Sequence, residues 1–194
     1  MKTTGILIPA LFAMLAVTGC GNKDGKNETG DSSGSSGSTA GTGIIGLYSE
    51  KMQQIVKNDE GAMRGIKLDA TMQEVKSAEK AQPYEETATL LSYSYDLADS
   101  VTTLELSYTF TPEKTLKTID MKIYSYGDAK LSQENYEKLS KYFTAKYGKP
   151  YPEKTEGWDV WPGTDDKDSK YSKSFNTWLR NDNDVVSVSI YRKI

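Results

Sequence analysis

The spacing of apolar residues changes twice along this chain, from a helical period of about 3.6 residues to a strand period of about two. Each helical stretch is followed by three segments in which apolar and polar residues alternate. An alternating segment has one apolar and one polar face, and such segments pair well as an antiparallel sheet with helices on its apolar face. The pattern therefore predicts an α+β fold with helices packed on one side of an antiparallel sheet.

Two short helices are predicted before the first strands. The apolar stripe of the first helix comprises Tyr48, Met52, Ile55 and Val56. This helix is expected to end by Gly61. The second begins where Thr71 and Glu74 form a Ser/Thr-x-x-Glu capping box, and Pro83 closes the segment. Both helices are expected to turn their apolar residues towards the sheet.

A third, longer helix is predicted in the second half of the chain. Ser132 is a suitable N-cap, and Glu134 complements the dipole of the first turn. Gly148 and Pro150 stand where the helix should end. Its buried stripe comprises Tyr136, Leu139, Phe143 and Tyr147.

The alternating segments form two sets of three strands. The inward residues of the first set are Leu91, Tyr93 and Tyr95, then Leu104, Leu106, Tyr108 and Phe110, then Ile119, Met121 and Ile123. Those of the second set are Trp158 and Val160, then Phe175, Thr177 and Leu179, then Val186, Val188 and Ile190. A helix followed by a three-strand meander thus occurs twice, which suggests a tandem repeat with halves at 47–127 and 128–194.

The last two strands are predicted to form a hairpin around the turn residues 181–184. A two-residue loop at Asp182 and Asn183 pairs Leu179 with Val186. The same register pairs Thr177 with Val188 and Phe175 with Ile190. All the apolar side chains of the hairpin then fall on one face, as a stable register requires.

The N-terminal segment has the pattern of a secretory signal. Lys2 precedes a nearly continuous apolar stretch that is too short for a comfortable membrane span. The stretch ends in Val17-Thr18-Gly19-Cys20, which resembles the lipobox of bacterial lipoproteins. The resemblance implies that residues 1–19 are a signal peptide and that a lipid on Cys20 anchors the protein to a membrane of the cell envelope, on the extracytoplasmic side. An ordinary secreted protein with Cys20 as a leftover thiol is the alternative.

Residues 20–46 are rich in glycine and serine and are predicted to be a flexible linker. Random-coil scaling gives such a linker a reach of roughly 25–30 Å. The single α+β domain is then expected to cover 47–194. At this size a domain can bury about 68–70% of its surface without disulfides.

The repeated order of helix and meander resembles the β-lactamase-inhibitor-like proteins and related small lipoprotein domains of outer-membrane assembly. Two sequence segments resemble these families: residues 64–68 followed by 71–75, and residues 142–150. Those families bind proteins and do not catalyse reactions. The resemblance therefore implies a protein-binding role, without identifying a binding residue in this chain.

Composition excludes several classes of function. The formal charge of −3 offers nucleic-acid phosphates no cationic surface. The sequence has no histidine and one cysteine, so it lacks the usual proton shuttle and the usual zinc ligands. We therefore expect no metal, no cofactor, no nucleic-acid partner and no enzymatic activity. A pair of carboxylates acting on a glycan is the remaining catalytic alternative, drawn from Glu85, Glu86, Asp96, Asp99 and Asp159.

The aromatic residues give the one positive indication of function. If Phe175 and Leu179 face inward, Trp178 faces the opposite side, among small polar residues. Trp161, Tyr151 and Tyr171 are predicted to belong to the same surface. Aromatic groups with polar tips suit protein interfaces and also sugar faces. The expected function is a lipid-anchored, non-catalytic protein-binding or envelope-assembly module. The alternative is a cell-wall or glycan-associated binding protein, or a carboxylate-dependent glycan hydrolase.

Overall fold

The computed structural model describes residues 44–152, 155–164 and 174–192. All of them fall within one unit of the chain, Thr39–Ile194. The predicted signal peptide, Cys20 and most of the predicted linker lie outside the described residues, as does Tyr171.

The described helices and strands follow the predicted order. A 3₁₀ helix covers Ile44–Leu47. The α-helices are α1 (Glu50–Val56), α2 (Met72–Glu79) and α3 (Ala129–Tyr147). The strands are β1 (Glu85–Glu86), β2 (Leu90–Asp96), β3 (Thr103–Phe110), β4 (Leu116–Tyr124), β5 (Asp159–Thr164), β6 (Ser174–Asp182) and β7 (Val185–Arg192). None of the helices in the described ranges is long and apolar enough to cross a membrane.

Packing against the core begins at Ile44, slightly before the predicted start at Leu47. Ile44 and Ile45 are partly buried and pack on the core. The backbone N–H of Ile45 donates a hydrogen bond to the Asp59 carboxylate at 2.9 Å. The apolar pair at the end of the predicted linker therefore belongs to the domain.

The seven described strands form one antiparallel sheet in the order β1-β2-β3-β4-β7-β6-β5. The two strand sets are joined by the pairing of β4 with β7, in which Met121 lies opposite Val188. The α+β fold predicted from the sequence is confirmed, and so is the meander of β2, β3 and β4. β1 and β5 are the two edge strands.

The core lies between the helices and one face of the sheet, which we call the inner face. On the central strands β4 and β7 the inner side chains are at most 2% exposed; they are Ile119, Met121, Ile123, Val186, Val188 and Ile190. Met52, Ile55 and Val56 of α1 and Leu139 and Phe143 of α3 are fully buried in the same core. Burial of each large apolar side chain stabilises the fold by about 1.5–3 kcal/mol.

The helix ends confirm one capping prediction and correct another. At α2, Thr71 and Glu74 form the predicted capping box. At α3, the N-cap is Asp128, whose carboxylate accepts a hydrogen bond from the Leu131 N–H at 2.9 Å. Ser132 was therefore the wrong N-cap: it lies inside the helix, fully buried, and its hydroxyl donates to Asn181 instead.

The register of the last hairpin also differs from the prediction. Leu179 lies opposite Val188 rather than Val186, so the two loop residues are Asn183 and Asp184. Asn183 adopts a positive φ of 55°, and Asp184 is hydrogen-bonded to the turn before α3. Alternation could not distinguish the two registers, because both place the same side chains on the same face.

Candidate binding face

The face of the sheet opposite the helices, which we call the outer face, is the candidate functional surface. Its positions on the central strands are half-buried or exposed; they are Thr118, Asp120, Lys122, Tyr124, Val185, Ser187, Ser189 and Tyr191. A central strand keeps such exposure only where no second layer covers it. Within the described residues, the outer face of β4 and β7 is therefore open to solvent.

Three aromatic side chains, Trp158, Trp178 and Tyr191, meet on this face, and we call them the Trp178 cluster. The Trp178 and Tyr191 rings are stacked, with centroids 5.8 Å apart and planes 20° apart. The Trp158 ring meets Trp178 edge-on, at 6.3 Å and 76°. Each such pair contributes about 0.5–1.5 kcal/mol beyond its buried area, so the cluster supports its own arrangement.

A tight turn before β5 places Trp158 on this face. Thr155 and Trp158 pair across the turn and exchange two backbone hydrogen bonds. The central residues, Glu156 and Gly157, have φ values of 52° and 82°. Positive φ at both positions is typical of a two-residue turn that matches the twist of the paired chains. Glycine meets this requirement without steric cost at the second position.

A cleft of about 410 Å³ opens beside the Trp178 cluster. It is lined by Thr155, Glu156, Trp158, Trp178, Ser189 and Tyr191. Tyr191 is 36% exposed, which leaves part of its ring available to a ligand. The volume lies within the range of roughly 300–1,000 Å³ typical of ligand pockets.

Two polar atoms near the cluster lack hydrogen-bond partners. The Trp178 indole Nε1 lies near the Tyr191 hydroxyl, yet no acceptor in the described residues meets the geometry of a hydrogen bond with it. Asn176, which lies opposite Tyr191, has a buried side-chain oxygen that is likewise unpartnered there. An unpaired buried donor or acceptor costs about 1–3 kcal/mol, so both atoms favour any rearrangement that satisfies them.

A row of small polar residues leads from the cluster across the sheet. Ser92, Ser107, Asp120 and Ser189 face each other in register on β2, β3, β4 and β7. The Ser189 hydroxyl donates to the Asp120 carboxylate at 2.6 Å. Burial raises the pKa of Asp120, although the Ser189 hydrogen bond and the nearby Lys122 partly oppose this effect.

A second aromatic pair, Tyr124 and Tyr126, lies on the outer face near one end of β4. The two rings are stacked with centroids 6.1 Å apart. Tyr126 is 68% exposed, and its hydroxyl donates to Thr103 at 3.0 Å. The outer face thus carries two separate aromatic sites, and the polar residues Lys122 and Ser187 lie between them.

The structure confirms the predicted face of Trp178, whereas Trp161 does not share that face; the binding role of Trp178 stays a prediction. Trp178 lies on the outer face, opposite Val160 and Ser189. Trp161 lies opposite Thr177 on the inner face and is fully buried. Its ring packs 5.7 Å from that of Phe143. The error follows from β5, where apolar residues occupy both faces, so alternation did not determine which one is inward.

Tyr151 lies apart from the Trp178 cluster. It is 44% exposed, and its N–H donates to the Val160 carbonyl at the edge of β5. With Tyr147 and Phe175 it lines a separate cavity of about 300 Å³. The predicted surface therefore contains Trp178 but neither Trp161 nor Tyr151, while Tyr171 lies outside the described residues.

Sequence reasoning missed two members of the cluster, Trp158 and Tyr191. The alternation of Val186, Val188 and Ile190 already places Tyr191 on the polar face of β7. Trp158 was predicted to point inward, and only its pairing geometry reverses that. The Glu156-Gly157 turn was the available local signal.

A second group of polar and charged side chains, which we call the Glu79 cluster, lies on the inner side around the buried Glu79 carboxylate. It consists of Lys57, Arg64, Glu79, Tyr95 and Tyr108. The Arg64 guanidinium forms a bidentate pair with the Glu79 carboxylate, both contacts being 2.8 Å. The hydroxyls of Tyr108 and Tyr95 donate to the same carboxylate at 2.5 and 3.0 Å.

The Glu79 cluster is a structural element because its charges are used within the fold. The remaining guanidinium nitrogen of Arg64 donates to the carbonyls of Gln54 and Ile55 at the end of α1. Lys57 donates to the carbonyl of Ala78 at the end of α2. Burial alone would raise the pKa of Glu79, but the Arg64 hydrogen bonds and charge, helped by Tyr108 and Lys57, lower it to about 2.

Three of the carboxylates suggested for glycan hydrolysis lie at opposite edges of the sheet, and a fourth, Asp96, ends β2. Glu85 and Glu86 lie on β1, and Asp159 lies on β5, at the opposite edge of the sheet. Six strand spacings separate these edges, roughly 29 Å. Asp159 accepts a hydrogen bond from the Tyr136 hydroxyl, and Asp99 is paired with Lys51 at 2.9 Å.

Comparison of the chain with protein-family models, with curated proteins and with solved structures gives no match.

Proposed function

We propose that this chain is a lipid-anchored, non-catalytic binding module of the cell envelope, and that it binds its partner through the outer face of β6 and β7. The observation that carries the proposal is the Trp178 cluster, an aromatic site on a sheet face that the described residues leave uncovered. Aromatic side chains with polar tips are enriched where proteins bind other molecules. Exposed apolar patches rimmed by polar residues often mark interaction sites.

The distribution of polar groups supports binding rather than catalysis. The full sequence has no histidine, and the deeply buried Glu79 carboxylate is used to hold Arg64 and two tyrosines in place. The polar groups that line the cleft beside the Trp178 cluster are mainly hydroxyls, with one carboxylate, that of Glu156, and these groups suit ligand recognition.

The anchor is part of the same proposal. The lipobox pattern ending at Cys20 supports lipidation, and the linker would hold the domain clear of the membrane surface. In the native host, mass spectrometry should find Cys20 as a lipid-modified N-terminus. Cys20→Ala should move the protein from the membrane fraction to the soluble fraction. An unmodified Cys20, or membrane retention of the variant, would contradict the anchor.

We further propose that the two halves of the domain are copies of one helix-and-meander unit. The pairing of β4 with β7 supports this, because the last strand of each half then meets its counterpart at the centre of the sheet. This arrangement agrees with the suggested relationship to β-lactamase-inhibitor-like domains, which bind proteins.

Photo-cross-linking in intact cells tests the binding face. A benzoylphenylalanine at Ser187, on the outer face, should capture a specific partner. The same residue at Leu47, which is 87% exposed on the 3₁₀ helix, is the matched control. Trp178→Ala in the Ser187 background should abolish capture. Equal capture from both positions, or none from Ser187, would refute the proposed binding face.

A further inference from the structure

We infer that the ligand of the outer face is a neutral glycan, one end of which enters the cleft beside the Trp178 cluster. This inference rests on the proposed function and specifies its ligand class. The first reason is geometric. A pyranose ring presents a flat face of C–H groups, which packs on an aromatic ring, and the partly exposed Tyr191 ring is stacked on Trp178 at the cleft.

The second reason is the chemistry of the polar groups at the cleft. The Ser189 and Thr155 hydroxyls line it. The Trp178 indole Nε1, at the same cleft, is a buried donor without a partner of suitable geometry in the described residues. A sugar hydroxyl both donates and accepts, so it can accept from the indole N–H and donate to a hydroxyl oxygen. The indole nitrogen is shielded in this structure, so a ligand reaches it only when neighbouring side chains move.

The third reason is charge. Glu156 is the charged residue among the described residues that line the cleft. Arg180 lies close by, but its guanidinium is 4.5 Å from the centre of the Trp158 ring and donates to Asp182 at 2.7 Å. The described lining of the cleft therefore holds no cation that would bind an acidic glycan or a phosphate, and a neutral glycan needs none.

The fourth reason is the shape and composition of the face. Protein interfaces have an apolar, well-packed centre and bury about 800 Å² on each partner. Beyond the Trp178 cluster most outer-face positions of β4 and β7 are serine, threonine or charged residues, including Ser187, Thr118 and Lys122. A cleft of about 410 Å³ beside such a polar surface suits a sugar ring that packs on aromatic side chains better than it suits an apolar side chain of a protein partner.

The Tyr124–Tyr126 pair indicates that the ligand is a polymer. Trp178 and Tyr124 lie on strands separated by β7, about 10 Å apart across the sheet. Tyr124 is four positions along β4 from Asp120, which is in register with Trp178, and this adds about 13 Å along the strand. A single sugar cannot reach both sites, whereas an extended oligosaccharide can.

The test uses the purified full chain, labelled at its tryptophan indole nitrogens, in a detergent without sugar headgroups. The probes are neutral hexasaccharides of glucose, mannose, galactose and N-acetylglucosamine, with the matching disaccharides. We expect at least one hexasaccharide to shift the indole N–H signals of Trp178 and Trp158 in a saturable way. Trp161 should not respond, because it is fully buried on the inner face and donates to Thr144.

Variants then locate the binding. Trp178→Ala should weaken hexasaccharide binding about tenfold or more, and Leu47→Ala should leave it unchanged. Tyr126→Ala should weaken binding of the hexasaccharide but not of the disaccharide. Circular dichroism checks that each variant is folded.

Two results would overturn the neutral glycan. One is the absence of any indole shift across the neutral panel, and the other is stronger binding of an acidic polysaccharide such as polygalacturonate. If cross-linking from Ser187 then captures a protein, the proposed binding face stands and only the ligand class is wrong. If it captures nothing beyond the Leu47 control, the proposed function fails as well.

Discussion

Trp161 and Trp178 lie on neighbouring strands of one sheet and occupy opposite environments. Trp161 is fully buried on the inner face, and its indole N–H donates to Thr144 at 3.2 Å. Trp178 is half-buried on the outer face, and its indole N–H has no partner of suitable geometry in the described residues. The same side chain therefore packs in the core in one position and lines a cleft on the uncovered face in the other. Whether helices cover the face decides between these roles.

The two faces also differ in one carboxylate on each side, the buried Glu79 and the half-buried Asp120. On the inner side, Arg64 and two tyrosine hydroxyls compensate the charge of Glu79, and its pKa is lowered to about 2. On the outer side, Asp120 receives a hydrogen bond from Ser189, and burial still raises its pKa. The inner charge is part of the folded scaffold, whereas the outer charge is tolerated at some cost.

Removing the two tryptophans separately should give the largest contrast. Trp161→Ala leaves a cavity in the core and should lower the free energy of unfolding by about 3–5 kcal/mol. Trp178→Ala should lower the free energy of unfolding by only about 1 kcal/mol, because the substitution removes ring contacts but leaves the core packing intact. Urea denaturation followed by circular dichroism measures both.

Trp161→Phe is the conservative control and should lose less stability than Trp161→Ala. Equal losses for Trp161→Ala and Trp178→Ala would show that the outer face is packed as tightly as the core, and the comparison would fail.

Glu79→Gln should lower the free energy of unfolding by about 3–5 kcal/mol, because it leaves the guanidinium of Arg64 without a compensating charge. The Arg64 side chain is only 3% exposed, so water cannot replace the carboxylate. Glu86→Gln is the matched control. It removes an exposed ion pair with Lys76 and should change stability by less than about 1 kcal/mol. Similar effects of the two substitutions would contradict the assigned role of the Glu79 cluster.

The pH dependence of stability should show the same cluster. The pKa of Glu79 is about 2 in the folded protein and about 4.3 in an unfolded chain. Because the pKa of Glu79 is lower in the folded protein, its ionised form stabilises the fold by about 3 kcal/mol at pH values above the unfolded pKa. This contribution is lost as the pH falls from about 4.3 through 2. Denaturation at pH 7, 4, 3 and 2 measures it. Glu79→Gln should lack this component, and an unchanged acid dependence in that variant would assign it to other carboxylates.

Asp120→Asn should have the smallest effect. A raised pKa means that the ionised form is less favourable in the folded state, so neutral asparagine should leave stability at pH 7 unchanged or increase it by less than about 1 kcal/mol. Asparagine retains an oxygen that can accept the Ser189 hydroxyl. The readout is the denaturation midpoint at pH 7. A clear loss of stability would show that neighbouring groups compensate the charge of Asp120, and this would contradict our view that its ionised form is unfavourable in the folded state.

Local signals predicted most of the fold. The capping box at Thr71, the alternation of β2, β3 and β4 and the helix end at Gly148 each depend on residues close in sequence, and the structure confirms all three. The errors occurred where two arrangements satisfied the same local pattern. The last hairpin had two registers with the same inward residues, and α3 is capped by Asp128, one turn before the predicted Ser132.

The candidate site could be predicted only in part. Trp178 was found because β6 alternates regularly. Trp158 and Trp161 were assigned to the wrong faces because β5 carries apolar residues on both sides. Tyr191 followed from the pattern of β7, but nothing in the sequence indicated that its ring would stack on Trp178, since that contact requires the β6–β7 register.

The sequence by itself determined which side chains share a face within most strands, the start of α2 and the end of α3, and the absence of histidine. These properties depend on spacing over a few residues. Tertiary structure decided which face of the sheet is covered, how β4 and β7 join the two strand sets, and that Trp158, Trp178 and Tyr191 meet in one cluster. Such contacts connect distant segments and depend on register and on helix packing, which a period of two residues does not encode.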